Sequence, residues 1–394
     1  MNNDNQTPWQ QIDYTLLFFI FLLMCVSTVA IYSAQASLPG ELKNVNFAGK
    51  QLTWYFIGAF VLSLTMVIDF DRFKQLSWYL YGFGIFLLLL LMIMPEYIGS
   101  YQIAPIRNGA KSWFVLPGLG SVQPSEFMKI FMIITISSSV VKHHEKYGEK
   151  TIQTDLILLG KIFAIAALPL AIVMKQPDLG TAMVFTAIVV SITLVSGVRW
   201  RLLALLTLTG VAGIAAVVFT FFKFPTFFKS YILDEYQLAR FYGWLAPEEY
   251  TDAGYQATKA ILAIGSGKLE GKGYADGTVY FPEAHTDFIF AVIGEEFGFI
   301  GASITISIFF LLIYRMIHTA LESNESFGSY LCAGVIGMLT FQVFQNIGMT
   351  VRLLPITGIP LPFVSYGGSA LLTYMIAVGL VLNVRSRTKT YMFE

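Results

Sequence analysis

The stretch Tyr14-Thr15-Leu16-Leu17-Phe18-Phe19-Ile20-Phe21-Leu22-Leu23-Met24-Cys25-Val26-Ser27-Thr28-Val29-Ala30-Ile31-Tyr32-Ser33-Ala34 decides the fold class. It carries no charge. As a helix rising about 1.5 Å per residue it would cross the roughly 30 Å hydrocarbon core of a bilayer. A cleaved leader is not expected. The run is too long, no basic segment precedes it, and no small-x-small site follows convincingly. Working outward, nine more runs of this kind lie near 48–68, 75–94, 124–141, 155–174, 178–197, 202–222, 286–314, 329–351 and 362–384. The expectation is an all-α polytopic membrane protein with ten transmembrane helices. Residues 1–394 would form one integral membrane domain, with a large extracytoplasmic loop at 223–285 between the seventh and eighth helices.

Composition agrees. Hydrophobic residues make up 56% and charged residues 13%, against roughly 25% charged in soluble proteins. With 34 Phe and 20 Tyr, disorder is excluded. The 25 basic and 25 acidic residues cancel, leaving no electrostatic footprint for nucleic acid. Cys25 and Cys332 sit in apolar runs and give neither metal-ligand spacing nor a disulfide framework.

Lys and Arg in short loops set orientation. With both termini in the cytoplasm, the inner segments hold eleven such residues: Arg72, Lys74, Lys142, Lys146, Lys150, Arg199, Arg201, Arg315, Arg385, Arg387 and Lys389. The short outer loops hold six: Lys43, Lys50, Arg107, Lys111, Lys175 and Arg352. This favours N-in and C-in. The loops near 95–123, 223–285 and 352–361 then share the outer face, and function concentrates on loops held by a rigid scaffold.

An ionisable residue in a spanning helix is costly and therefore a functional candidate. Glu126 and Lys129, three apart after Pro124 and Ser125, share a helix face. They form either a self-neutralising pair or a cavity lining in which Lys129 faces an anion. Asp178 reads first as a helix cap. Lys161 faces a polar interior with no partner that spacing identifies. Asp287, in Glu283-Ala284-His285-Thr286-Asp287-Phe288-Ile289-Phe290, falls at a helix start near the outer surface. It is either an N-cap, a role Thr286 fills equally well, or a general base with a raised pKa. Glu295 and Glu296 should lie two to three turns deeper and pair with a neighbouring helix.

Gln342, Gln345, Asn346 and Met349 form a polar stripe suited to inter-helical hydrogen bonds. Pro355, Pro360 and Pro362 force non-helical backbone, tolerated at membrane depth only inside protein or along a cavity. Gly367 and Gly368, between Ser365 and Ser369, permit close backbone approach. Gly265-Ser266-Gly267-Lys268-Leu269-Glu270-Gly271-Lys272-Gly273 fails the P-loop pattern, so an ATP-driven pump is unsupported. Its glycines remain candidates to contact an extended polar substrate or a diphosphate. Gly254 to Ile264 reads as a short amphipathic helix in the interface. These features leave three readings: an enzyme acting on a lipid-linked polar substrate at the outer surface, a flippase, and a docking scaffold. A transporter should show paired broken helices in matching halves. Only one broken element is evident, which favours the enzyme.

The run Glu283 to Ala291, followed by Gly294-Glu295-Glu296, resembles the signature of the RodA/FtsW (SEDS) family of bacterial cell-wall proteins. Similar motifs lie at Gln123–Lys129, Gln176–Thr181, Gly254–Gly273 and Asn346–Ser369. The stretch Leu354 to Pro362 is more like the RodA, or elongation, branch. The resemblance implies a peptidoglycan glycosyltransferase of the cytoplasmic membrane that polymerises lipid II during elongation and releases undecaprenyl diphosphate. It carries the essential aspartate onto Asp287 and an acid–base pair onto Glu126 and Lys129. It implies a class B penicillin-binding transpeptidase and other elongation-complex membrane proteins as partners. With the leaving diphosphate in view, Lys129, Lys111 and Arg352 become candidate cations, Ser365, Gly367, Gly368 and Ser369 substrate contacts, and a divalent cation (Mg or Mn) an expected cofactor. Two departures stand out. Arg352 replaces a common glycine, and in Gly109-Ala110-Lys111-Ser112-Trp113 the cation usually just before the tryptophan has moved to Lys111 or Arg107. The alternative reading remains a lipid II flippase.

Overall fold

The computed structural model describes residues 12–36, 38, 45–99, 101–106, 110–116, 120–223, 235–245, 247, 251–280 and 283–388. Lys43, Arg107 and Lys389, counted above, lie outside them. The chain runs through α1 (Tyr14–Ala36), α2 (Phe47–Val67), α3 (Phe70–Ile93), β1 (Tyr97–Ile98), β2 (Tyr101–Gln102), β3 (Phe114–Leu116), β4 (Gly120–Val122), α4 (Pro124–Lys146), α5 (Ile152–Lys175), α6 (Leu179–Val195) and α7 (Trp200–Lys223). It continues through α8 (Glu235–Leu245), α9 (Thr251–Gly267), α10 (Ile289–Glu296), α11 (Gly298–Glu322), α12 (Ser326–Thr350) and α13 (Gly368–Arg387). Eight of these helices, α1, α3, α4, α5, α7, α11, α12 and α13, are long and apolar enough to cross a membrane, and α6 is a shorter apolar helix. The protein is an all-α polytopic membrane protein. Its only described strands form two antiparallel hairpins, β1–β2 and β3–β4, within the loop that precedes α4.

The buried centre is α4 and α13. Close approach there depends on glycine, the usual route to helix contact where lipid offers no hydrophobic drive. A side chain at Gly368 would collide with the Trp54 ring of α2 at 2.3 Å, and one at Gly379 would meet the Leu62 carbonyl at 3.0 Å. By contrast, no described side chain of α7 is buried.

Two expected spans are corrected. The run 286–314 is not one helix: α10 ends at Phe297, Gly298 adopts φ +61°, and α11 starts a new helix. The last span begins at Gly368, not near 362, because residues 351–367 are irregular. Positive φ at Arg352, Gly358 and Phe363 turns that segment. Side chains from the surrounding helices satisfy its carbonyls. Gln345 donates to Pro355 O, Asn346 to Ile359 O, Gln51 to Ser365 O, Ser27 to Val364 O, and Tyr55 to Phe363 O. Buried backbone needs such partners. The polar stripe of α12 is therefore the scaffold of this segment.

Candidate functional site

The glycine-rich run after α9 does not form a phosphate cradle. Its backbone amides from Lys272 and Gly273 donate to the carbonyls of Glu295 and Glu296, which closes the C-terminus of α10. The carbonyls of Lys268 and Leu269 accept from Phe299 and Ile300 at the start of α11. Loose helix ends on both sides of the break are satisfied by one loop. A side chain on Gly271 would lie 2.0 Å from Glu296 O, and one on Gly267 2.0 Å from Gly294 O, so only glycine fits. The helix expected over 254–264 exists as α9. It packs its buried Ala257, Ala260 and Ala263 against protein and exposes Tyr255, Ile261 and Leu262.

Glu295 and Glu296 are both buried at the end of the short α10. Glu296 accepts from Ser33, within a turn of the end of α1, and Glu295 pairs with Lys272 of the loop at 2.6 Å. Glu295 also takes the amides of Thr278 and Val279. Both carboxylates fasten the loop to α10, so their partners come from the loop and from α1.

That fastened frame ends in the turn carrying Asp287. Asn346 of α12 donates to Asp287 O at 2.8 Å, and Ser365 donates to Thr286 O at 2.6 Å. His285 packs on Phe47 with ring centres 4.6 Å apart and the rings tilted by 40°, a structural use. Neither capping role appears. Phe288 is the N-cap of α10 without a side-chain bond, and the Thr286 hydroxyl donates to Glu283. The Asp287 carboxylate, half-buried, makes no hydrogen bond or ion pair among the described residues. It stands outside the candidate spans. Its pKa is pushed up to about 7 by desolvation and by Glu283, against the opposing pull of Arg240. A carboxylate fixed through its backbone, with free oxygens and a pKa near neutrality, suits proton abstraction.

Arg240 was not anticipated. It lies on α8, the only arginine between residues 223 and 285. A Cβ added to Gly358 would stand 3.3 Å from Asp287 Oδ2 and 3.7 and 3.9 Å from the two Arg240 terminal nitrogens. Carboxylate and guanidinium thus converge on one glycine. Arg240 also reaches Ile356 O at 3.4 Å, and Trp244 of the same helix donates to Arg352 O at 3.1 Å. A lone arginine in a long aromatic loop was the available signal. Its target, 118 residues later at Gly358, is set by the fold alone.

The other candidates separate from this centre. Glu126 and Lys129 do pair, at 2.6 Å, with side chains 5% and 1% exposed. Lys129 also lies over the Tyr374 ring, 5.8 Å from its centre, and so is not presented to an open anion site. Lys111 donates to Met94 O at the end of α3. Ser369 accepts from Gln123 N and donates to Ser121 O, fastening β4, while Gly367 donates its N–H to Gln51. Gly368 serves the packing on Trp54, and Ser365 accepts from Leu361 N. Ser365, Gly367, Gly368 and Ser369 thus act as framework in this structure. Arg352 alone among the named cations borders the segment over which α8 lies, and its backbone is held at φ +63°. Asp178 is the cap of α6, accepting from Thr181 N at 2.9 Å, and also takes Gln123. Lys161 meets His143 Nδ1 at 3.2 Å. Among the described residues no three His, Cys, Asp or Glu side chains are grouped to hold a metal ion.

The family model FtsW/RodA/SpoVE, described as a cell cycle protein, matches residues 14–390. Stage V sporulation protein E of Bacillus subtilis (strain 168) is 33% identical over 386 residues, covering 96% of this chain and 98% of that one. Probable peptidoglycan glycosyltransferase FtsW of Geobacter sp. (strain M18) is 32% identical over 385 residues, at 96% and 97% coverage. Peptidoglycan glycosyltransferase MrdB of Escherichia coli (strain K12) is 30% identical over 395 residues, at 98% of both chains. Identities this even do not separate the branches. Among solved structures, a chain of a peptidoglycan synthase complex that coordinates polymerization and crosslinking superposes with a TM-score of 0.74 at 26% identity, covering 95% of this chain and 97% of that one. The rod shape determining protein RodA of Thermus thermophilus gives 0.67 at 26% identity, covering 98% of this chain and all of that one. With the match spanning nearly the whole chain, this protein belongs to the FtsW/RodA/SpoVE family.

Proposed function

We infer that the protein is a peptidoglycan glycosyltransferase of the bacterial cytoplasmic membrane, polymerising lipid II at the outer face with Asp287 as general base. The carrying observation is the Asp287 carboxylate: fixed through its backbone, committed to no cap or ion pair, and raised towards neutral pKa. The sugar hydroxyl of the acceptor is a weak nucleophile. Asp287 takes its proton while the hydroxyl oxygen bonds to the donor's anomeric carbon. The bond from that carbon to the diphosphate breaks, and its electron pair leaves on the diphosphate. A positioned base of this kind contributes about 10²–10⁴-fold. Desolvation by the surrounding turn keeps the base near the working pH.

The finer parts of this reading are ten spans, both termini inside, and the loops of the 223–285 region outside. Helices α2 and α6 supply the two spans beyond the eight. The extended polar substrate would meet the face where α8, the Asp287 turn and residues 352–358 gather. A divalent cation, entering with the diphosphate, would neutralise phosphate charge. A class B penicillin-binding transpeptidase is the proposed partner, together with other elongation-complex membrane proteins. The similarity to a chain of a synthase complex supports this.

The test is polymerisation of labelled lipid II by purified protein, with and without a class B partner. Wild type and Asp287→Ala are compared at matched thermal stability. Glycan from wild type alone is expected. Equal product from both would remove Asp287 as base, and none from either would favour a flippase.

A further inference from the structure

We propose that Arg240 is a substrate-binding residue that grips the anionic phosphate linkage of the donor, opposite Asp287, and that Gly358 is kept bare so that the linkage can lie between them. The proposal rests on the glycosyltransferase reading for the identity of the substrate, but not for the binding itself.

Three observations carry it. First, Arg240 and Asp287 reach the same point from elements distant in sequence: a Cβ on Gly358 would lie within 3.3–3.9 Å of both. Any side chain there would occupy the space they share. Second, Gly358 has φ +71°, a conformation that L side chains rarely adopt, so its backbone favours glycine. Third, α8 is aimed. Trp244, one turn beyond Arg240, donates to Arg352 O at 3.1 Å, and Arg240 itself reaches Ile356 O at 3.4 Å. These contacts lay the helix along residues 352–358 and bring the guanidinium to the glycine.

The chemistry suits a phosphate. A guanidinium offers five donors in a planar fork that matches phosphate oxygens in a bidentate pair. As the bond to the diphosphate breaks, the electron pair moves onto a phosphate oxygen, where a fixed cation stabilises the developing charge. The carboxylate that accepts the hydroxyl proton and the cation that receives the leaving anion then stand on opposite sides of the reacting carbon. The bare Gly358 leaves room for it.

The experiment uses the detergent-purified full chain and farnesyl diphosphate as probe, with binding read by calorimetry and folding by thermal melting. Arg240→Gln should weaken binding about tenfold or more. Arg240→Lys, which keeps the charge but loses the fork, should fall between. Gly358→Ala should weaken binding while both charges remain. Asp287→Asn should bind the probe at least as tightly as wild type, since a nearby negative charge is removed. Trp244→Phe separates gripping from propping: it releases the other end of α8 but keeps the cation. If Arg240→Gln lowers the melting temperature as much as Trp244→Phe does, and Arg240→Lys binds no better than Arg240→Gln, Arg240 is a prop for residues 352–358 and the proposal falls. Unchanged binding in Arg240→Gln, or in Arg240→Lys should the Gln variant fail to fold, also overturns it. Arg240-dependent binding by a protein that makes no glycan would sink the glycosyltransferase reading and leave this one standing.

Discussion

Two of the molecule's juxtapositions of opposite charge behave differently. Glu126 and Lys129 are adjacent on one helix, pair at 2.6 Å and are nearly inaccessible. Asp287 and Arg240 come from a turn and a loop helix. They meet at a missing side chain, and the carboxylate is half-buried with no hydrogen-bond partner among the described residues. Charge in an apolar setting is therefore not by itself a mark of chemistry. A pair that neutralises itself within the bundle stabilises one arrangement of helices. A carboxylate positioned through its backbone, with its oxygens free, is available to a substrate.

The largest expected effect breaks the second centre. Asp287→Asn should reduce lipid II polymerisation by about 10²–10⁴-fold with a melting temperature at neutral pH no lower than that of wild type, since its carboxylate holds nothing in place and its buried charge opposes folding. A mutant that loses activity only in proportion to lost folded protein would put Asp287 with the structural charges.

The mirror experiment acts on the first pair. Lys129→Met leaves Glu126 buried without its cation and should cost about 3–5 kcal/mol of stability, as removing one partner of a buried pair does. Adding Glu126→Leu should recover most of it. Thermal unfolding of the single and double variants decides. A single variant as stable as wild type would mean that the pair is hydrated in the native protein.

Gly271→Ala tests the loop that closes α10. The new Cβ meets Glu296 O at 2.0 Å, so overpacking of about 1–3 kcal/mol is expected. Activity should fall with it, because the same loop fixes the frame that leads to Asp287. Full activity in Gly271→Ala would uncouple the loop from the site.

pH dependence sharpens the contrast further. Asp287 must be ionised to act as base, so activity should fall as pH drops through about 7. Its pKa is raised on folding. The native state therefore holds its proton above the ordinary value of 3.8, and this contribution to stability is lost as pH rises from there through about 7. Asp287→Asn should abolish that component of the stability profile. An activity profile flat from pH 5 to 8 would argue against a carboxylate base. At the small end, Lys74→Ala removes an exposed pair with Glu145 and should change stability by no more than about 1 kcal/mol.

Much of this architecture is readable from residue order. Charge-free runs of about twenty residues give membrane helices, because the bilayer admits little else. Three prolines and a stripe of amides mark an irregular segment and the side chains that satisfy it. Asp178 as a cap and Glu126 with Lys129 as a pair follow from spacings of three along a helix. Asp287 is legible as a candidate because an acid beside a long apolar run needs a reason to be there. Ser365, Gly367, Gly368 and Ser369 show a limit of residue order: small residues near a site look alike whether they touch substrate or let helices approach. The break at Phe297–Gly298 was hidden because both halves are apolar, and hydropathy does not register a change of backbone conformation.

The sequence by itself determined that this chain lives in a membrane, where its irregular segment lies, and which acid is out of place. Only the tertiary structure decided which charges neutralise each other, that the glycine-rich run closes a helix, and that Arg240 and Asp287 converge on Gly358. The reason is physical. Hydropathy and local spacing act within a few turns of chain, whereas a binding site depends on angles and distances between elements that packing alone fixes.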